Sequence, residues 1–107
     1  MSDLKALYKE AFGAFARGDY DAAIEAYHKV IEADASFGLA YQGLAEAHSK
    51  RGELDQAIDA IRKAIEADPS ESLYHTSLSR FLQMQGRIPE AEEAASNAMR
   101  LQSRQPL

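Results

Sequence analysis

The chain has 107 residues, of which 46% are hydrophobic and 27% charged, a composition typical of one globular unit with a modest core. Its formal net charge is -5 without any dense Lys/Arg run, which disfavours nucleic acid and anionic membranes as partners. It contains no cysteine, which excludes disulfide bonds, thiolate metal sites and cysteine catalysis, and it has no long apolar segment, so we expect a cytoplasmic protein.

Apolar residues recur at helical spacing from the start of the chain. The first stripe consists of Leu4, Leu7, Tyr8, Ala11 and Phe15, and a second stripe after Gly18 consists of Ala23, Tyr27, Val30 and Ile31. Glycine adopts the left-handed backbone conformation that commonly ends a helix. The first third of the chain is therefore predicted to form a helix, a turn and a second helix.

The same pattern returns with a period of 34 residues. The segment GDYDAAIEAY at 18–27 corresponds to GELDQAIDAI at 52–61 and, more weakly, to GRIPEAEEAA at 86–95. A fixed period of this size predicts stacked helical hairpins, because one hairpin cannot bury its apolar stripe alone. We predict an all-α solenoid in one domain over residues 1–107, with repeats at about 4–37, 38–71 and 72–105.

The repeat resembles the tetratricopeptide repeat (TPR) family over about residues 4–102. The middle unit carries the features of the resemblance: Leu44, Ala45, Gly52, Ala57, Ala64, Asp68 and Pro69. Two departures are Glu10, where the later units have leucine, and Ala35, where the middle unit has proline. The resemblance implies a right-handed α-α superhelix whose first helices line a concave groove for a peptide or a partner helix.

The resemblance also implies which side chains face that groove. They are Lys5, Tyr8, Lys9 and Phe12 in the first unit, Leu39, Gln42, Gly43, Glu46 and Lys50 in the second, and Leu73, Thr76, Ser77, Arg80 and Met84 in the third. Cations outnumber carboxylates in this set, so we expect a locally basic, partly apolar groove and an acidic peptide ligand with apolar anchors. The alternative interpretation is that Phe12 or Phe15 belongs to the core and that the cations only solubilise the surface.

One function known in the family is not expected here. Chaperone-binding members hold a C-terminal acidic tail in a carboxylate clamp of lysine, asparagine and arginine side chains. The matching positions of this chain are Tyr8, Phe12, Gly43, Leu73 and Ser77. None of these residues supplies the clamp, so no chaperone carboxylate clamp is predicted.

No catalytic, metal or cofactor site is predicted. His28 shares a helical face with Glu25 and Glu32, but this spacing is typical of any solvated helix. His48 and His75 align with mostly apolar residues of the other units and are interpreted as packed side chains. The sequence contains neither a nucleophile elbow nor a glycine-rich phosphate loop, so we expect no enzyme.

The last helix is predicted to leave an apolar edge. The residues after Leu101 are too few to form a capping helix, so the expected edge residues are Leu82, Ala95, Met99 and Leu101. Self-association, a covering partner, a longer array or tolerated exposure would each account for such an edge. The first functional hypothesis is therefore a non-catalytic protein-interaction module or adapter, and the second is a scaffold that forms homo-oligomers.

Overall fold

The computed structural model describes residues 3–104, and these form six α-helices and no strand. The helices are α1 Leu4–Ala16, α2 Tyr20–Ala33, α3 Gly38–Lys50, α4 Leu54–Ala67, α5 Ser72–Met84 and α6 Ile88–Ser103. The prediction of an all-α helical repeat is confirmed. Within the described range no helix is both long enough and apolar enough to span a lipid bilayer.

The turn inside each hairpin is built around a glycine. Gly18, Gly52 and Gly86 have φ values of +80°, +79° and +77°, a region that other residue types rarely adopt. The amide that follows each glycine then donates to a carbonyl in the last turn of the helix, as Asp19 N does to Ala14 O at 3.0 Å. The predicted helix-ending role of these glycines is confirmed.

The loops between hairpins are also alike. Asp34 accepts a hydrogen bond from the amide of Ser36 at 3.0 Å, and Asp68 accepts one from the amide of Ser70 at 3.3 Å. Such turns satisfy backbone donors at the end of a helix. The unit boundaries predicted at 37/38 and 71/72 coincide with the beginnings of α3 and α5. The assignment of the whole chain to one domain stays a prediction.

The order of helix contacts defines an inner and an outer layer. Each helix packs against the next, and α1 also touches α3 while α3 touches α5. In contrast, α2, α4 and α6 do not touch one another. The odd-numbered helices therefore lie closer to one another than the even-numbered helices do. They line the concave side of the superhelix, as expected for stacked hairpins.

Small side chains allow the helices of a hairpin to approach closely. Ala23, Ala57 and Ala91 occupy equivalent positions in α2, α4 and α6, and all three are fully buried. In the last hairpin the Ser79 hydroxyl donates to the Ala91 carbonyl at 2.8 Å, which ties α5 to α6. The same hairpin contains Phe81, one of the largest fully buried side chains of the chain.

The expectation that Leu82 faces outward at the edge is wrong. Its side chain is only 1% exposed and lies with Ile65, Leu78 and Ala94 in the crevice between the second and third hairpins. The reason is its position on α5, which corresponds to that of His48 on α3. Both positions point back towards the preceding hairpin rather than forward to the place of a following one.

Candidate functional site

A pocket opens on the concave side between α1 and α3. It measures about 300 Å³ and is lined by Tyr8, Phe12, Phe15, Tyr27, Gln42, Gly43, Glu46 and Lys50. A shallower hollow of about 570 Å³ adjoins it on α1 and is lined by Lys5, Tyr8, Lys9 and Phe12. We call these two hollows together the anchor pocket.

Phe12 lies at the centre of the anchor pocket. Its side chain is 56% exposed, so the alternative interpretation that Phe12 is core is wrong. Phe15 is half-buried, packs against the core and stacks edge-on against Tyr20, with ring centroids 5.5 Å apart. An exposed aromatic ring beside a preformed hollow is a common feature of protein-binding surfaces.

The floor of the pocket depends on Gly43 and on Tyr27 of the outer helix α2. A Cβ atom added to Gly43 would overlap the Tyr27 ring, with the tyrosine hydroxyl oxygen only 2.6 Å away. The equivalent residues one repeat later are Ser77 and Ile61, a larger residue on the inner helix and a smaller one on the outer helix. The two interfaces between hairpins therefore fill similar space in opposite ways. The first combines the smaller inner residue with the larger outer one, and the second combines the larger inner residue with the smaller outer one.

The groove between α3 and α5 is occupied by a polar cluster. Glu46 accepts hydrogen bonds from Gln42 and from Ser77, both at 3.3 Å. Arg80 forms an ion pair with the same carboxylate, with Nη1 3.2 Å from Oε1, and its guanidinium lies over the Phe81 ring at 5.0 Å. Since Ser77 is buried beneath this cluster, the expectation that its side chain faces the open groove is wrong.

The remaining predicted groove residues lie mostly at the ends of the inner helices. Leu39 and Leu73 are exposed at the beginnings of α3 and α5, Met84 is exposed at the end of α5, and Thr76 is exposed between them. The fold thus brings the predicted residues of α1 and, except for Leu39, those of α3 together in the anchor pocket. The predicted residues of α5 line a surface whose centre is closed by Arg80 and Glu46.

The positive charge of the groove is unevenly distributed. Lys5, Lys9 and Lys50 are exposed and form no ion pair with any group of residues 3–104. The charge of Arg80, in contrast, is matched by Glu46. The surface available to an anion is therefore concentrated around the anchor pocket.

Two tyrosines give this pocket hydrogen-bond donors that stay protonated. Burial raises the pKa of Tyr27 to about 12, with a further contribution from Tyr8, and burial raises the pKa of Tyr8 as well. The Tyr27 side chain is 1% exposed, and its hydroxyl makes no hydrogen bond within residues 3–104. Among the described residues, every side-chain polar atom that is shielded from solvent has a hydrogen-bond partner. Because the Tyr27 hydroxyl has none, it is not shielded from solvent and opens onto the pocket that it lines.

The histidines take structural positions. His48 Nδ1 lies 2.8 Å from Glu53 Oε1, and this hydrogen bond is the main cause of the lowered pKa of the Glu53 carboxyl. His75 Nε2 lies 3.3 Å from the Pro69 carbonyl oxygen, while His28 is exposed on α2. Across residues 3–104 no three His, Asp or Glu side chains come together as metal ligands would.

The outward side of α6 forms a second exposed apolar surface. Met99 is 69% exposed, and Ala95 one turn before it is half-buried. A hollow of about 360 Å³ runs from this side of α6 to Arg80 on α5. Of the four predicted edge residues, Ala95 and Met99 thus lie on the outward side of α6. The prediction for Leu101 is wrong, because this half-buried residue lies two helical turns after Ala94, on the side of α6 that faces the preceding hairpin.

The contribution of Tyr27 to the anchor pocket does not follow from the sequence pattern. Its spacing on α2 matched a core stripe, and the structure indeed buries its ring, but the hydroxyl reaches the concave surface past Gly43. The signal in the sequence is a helical glycine, Gly43, combined with a large aromatic residue, Tyr27, in the preceding repeat. The interface between the second and third units does not repeat that pairing, since Ser77 and Ile61 stand at the equivalent positions.

Stacked helical hairpins with a concave side lined by the first helix of each pair define a helical-repeat protein. A family model of the tetratricopeptide repeat matches residues 14–81, which is more than half of the chain, and a second one matches residues 73–96. The chain therefore belongs to the tetratricopeptide repeat family, as its sequence pattern indicated. No curated protein sequence gives a significant match.

Solved structures with the same fold include three informative neighbours. MamA is 25% identical with a TM-score of 0.90 and 94% of this chain covered, although the chain spans only 59% of the length of MamA. The second TPR of Spaghetti (RPAP3), bound to the HSP90 peptide SRMEEVD, is 26% identical with a TM-score of 0.86, covering 92% of this chain and 91% of that one. The Yersinia enterocolitica type III secretion chaperone SycD, in complex with a peptide of the translocator YopD, is 25% identical with a TM-score of 0.93, covering 99% and 82%.

Proposed function

We propose that this chain is a non-catalytic protein-interaction module that binds a partner peptide or helix on its concave side. The observation that carries the proposal is the preformed anchor pocket, where the exposed ring of Phe12 lies beside unpaired lysines. Aromatic surface supplies contact energy, while the lysines attract and orient an acidic ligand. The peptide complexes of RPAP3 and SycD support the proposal, since both proteins share the fold of this chain.

The proposed ligand differs from a chaperone tail. RPAP3 is solved with the HSP90 peptide SRMEEVD, but Tyr8, Phe12 and Gly43 stand at clamp positions of this chain. None of these side chains carries the positive charge with which lysine and arginine pair with a terminal carboxylate. The proposal is therefore an acidic segment with an apolar anchor, acting in the cytoplasm, and it includes no cofactor or metal.

Charge reversal in the groove is expected to abolish most of the binding. Peptides selected from a random display library against the chain should bind the Lys9→Glu/Lys50→Glu variant at least about tenfold more weakly, because each reversal turns an attraction into a repulsion. Fluorescence anisotropy with labelled selected peptides measures the change. The loss should shrink as salt is added, because exposed charges are screened.

The matched control is the Lys29→Glu/Lys63→Glu variant. It makes the same change in net charge on the outer helices α2 and α4, where both lysines are exposed. Its affinity for the selected peptides should stay within about twofold of the unmodified chain. Equal losses in both variants, or no loss in either, would contradict binding on the concave side.

A second candidate function is self-association through the outward side of α6, favoured by the exposure of Met99. SycD, a protein of the same fold, is also described as a dimer. On α1 the positions equivalent to Gly43 and Leu44 hold Lys9 and Glu10, and these charges disfavour head-to-tail stacking of a preceding hairpin on α1. The contact would therefore join two α6 surfaces by two-fold symmetry, which closes a dimer rather than a filament.

The Met99→Glu variant tests this second candidate. If α6 mediates dimers, static light scattering should show a mass that rises with concentration for the unmodified chain and stays monomeric for the variant. Met84→Glu, which changes an equally flexible exposed side chain on the concave side, is the control and should leave the mass unchanged. A monomeric mass for the unmodified chain at every concentration would rule out self-association.

A further inference from the structure

The two halves of the concave side differ in what they leave free for a ligand. Between α3 and α5, Glu46 is already bonded to Gln42, Ser77 and Arg80, so its charge and hydrogen-bonding capacity are used within the chain. Between α1 and α3, Phe12 occupies the position equivalent to Glu46 and Arg80, and it has no such partner. On the concave side of residues 3–104, the anchor pocket thus lies in the half that lacks this internal cluster.

The charges around the anchor pocket are those of a site for an acidic segment. Lys5 and Lys9 rim the hollow on α1, and Lys50 rims it from α3. The carboxylate of Glu46 also lines the pocket, but its ion pair with Arg80 offsets the repulsion of an acidic ligand. The balance is net positive in a chain whose formal charge is -5.

The Tyr27 hydroxyl provides a specific polar contact. A hydroxyl that is shielded from bulk water gains from meeting an acceptor, because leaving it without one has a free-energy cost. It lies on the pocket floor beside Gly43, whose missing side chain leaves the space that the Tyr27 ring and hydroxyl occupy. The small volume of the inner hollow, about 300 Å³, suits a single inserted side chain rather than a packed helix.

We infer that the anchor pocket takes one bulky apolar side chain from an acidic segment of a partner protein. Lys5, Lys9 and Lys50 face the carboxylates that flank this side chain, and the Tyr27 hydroxyl donates a hydrogen bond to the backbone of the segment. The α3–α5 half of the concave side takes no part in this contact. The inference rests on the proposed function and specifies its ligand and its location.

A defined set of peptides tests the inference. The first probe is a five-residue peptide with a central phenylalanine flanked on each side by two glutamates, capped at both ends. In the second probe alanine replaces the phenylalanine, and in the third glutamine replaces every glutamate. Titration of the ¹⁵N-labelled chain should shift the amides of Phe12, Gly43 and Lys50, with the first probe bound about tenfold more tightly than either other probe.

Variants of matched exposure locate the contact. Phe12→Ala should weaken the first probe about tenfold or more, while Met84→Ala, which removes a side chain of almost equal exposure from the α5 end of the concave side, should leave it unchanged. Tyr27→Phe keeps the buried ring and removes only the hydroxyl, so a loss of about threefold to tenfold is expected.

The outcomes separate this inference from the proposed function. Probe binding that is lost in Met84→Ala but kept in Phe12→Ala would overturn the inference and leave the concave side as a binding surface. Equal binding of the phenylalanine and alanine probes, or no binding of any probe, would also overturn it. In those cases the proposed function is tested separately with the peptides selected by display, because their sequences are not restricted to those of the three probes.

Discussion

Replacing Gly43 with serine is expected to destabilise the chain by about 3 kcal/mol, because the new Cβ atom would overlap the buried Tyr27 ring. A helical glycine normally weakens its helix by about 0.5–1 kcal/mol relative to alanine, so the expected sign is the reverse of the usual one. At about 4–8 °C per kcal/mol for a chain of this size, the melting temperature should fall by more than about 10 °C. The melting temperature is measured by thermal unfolding, monitored by circular dichroism at 222 nm.

Two further variants isolate the physical cause. Gly13→Ala changes another helical glycine, whose added Cβ atom meets only the end of the flexible Arg17 side chain at 3.4 Å, so it should stabilise the chain by about 0.5–1 kcal/mol. The double variant Gly43→Ser/Tyr27→Ile recreates the Ser77 and Ile61 pair of the next interface. It should recover at least about 1 kcal/mol relative to the sum of its single variants. Strict additivity would show that the two residues do not compete for the same space.

Replacing Phe81 with alanine is expected to cost about 3–5 kcal/mol, because the ring is fully buried and its removal leaves a cavity. That is a large part of the total stability of about 5–15 kcal/mol that a domain commonly has. Since each hairpin contacts only its neighbours, the loss should be concentrated in α5 and α6. Urea unfolding gives the free energy, and amide hydrogen exchange should show α5 and α6 losing more protection than α1 and α2.

Phe12→Ala is the matched control for Phe81→Ala. It makes the same substitution on the same layer of helices, but the ring is 56% exposed, so the free energy of unfolding should change by only about 0.5 kcal/mol. Under the proposed function this variant loses ligand binding and keeps its stability, whereas Phe81→Ala loses stability. Similar destabilisation by both variants would show that Phe12 is part of the core and would remove the basis of the anchor pocket.

The predicted edge and groove show where reasoning from the sequence succeeded and where it did not. The family resemblance implied that Tyr8 and Phe12 face the groove, and the structure has them lining one hollow. The resemblance also implied that Ser77 faces the groove, and the missing capping helix suggested that Leu82 lies at an open edge, yet both residues are buried. Spacing gives the direction of a side chain relative to its own helix, but burial depends on what the neighbouring helices place opposite it.

The sequence by itself determined the repeat, the hairpin and the turn, because these depend on local interactions. A left-handed glycine ends a helix through hydrogen bonds to residues within one turn, and the 34-residue period fixes the order in which hairpins stack. The choice between an open and a closed groove is different in kind. It depends on side-chain volumes and charges that meet across helices.

Only the tertiary structure decided that choice. Arg80 meets Glu46 from a helix 34 residues away, and Tyr27 reaches beneath Gly43 from the outer layer. Neither contact follows from a local pattern, because each needs the distance and the angle between packed helices. Ion pairing closed one half of the concave side, and the other half stays open because Phe12 stands where the later units have Glu46 and Arg80.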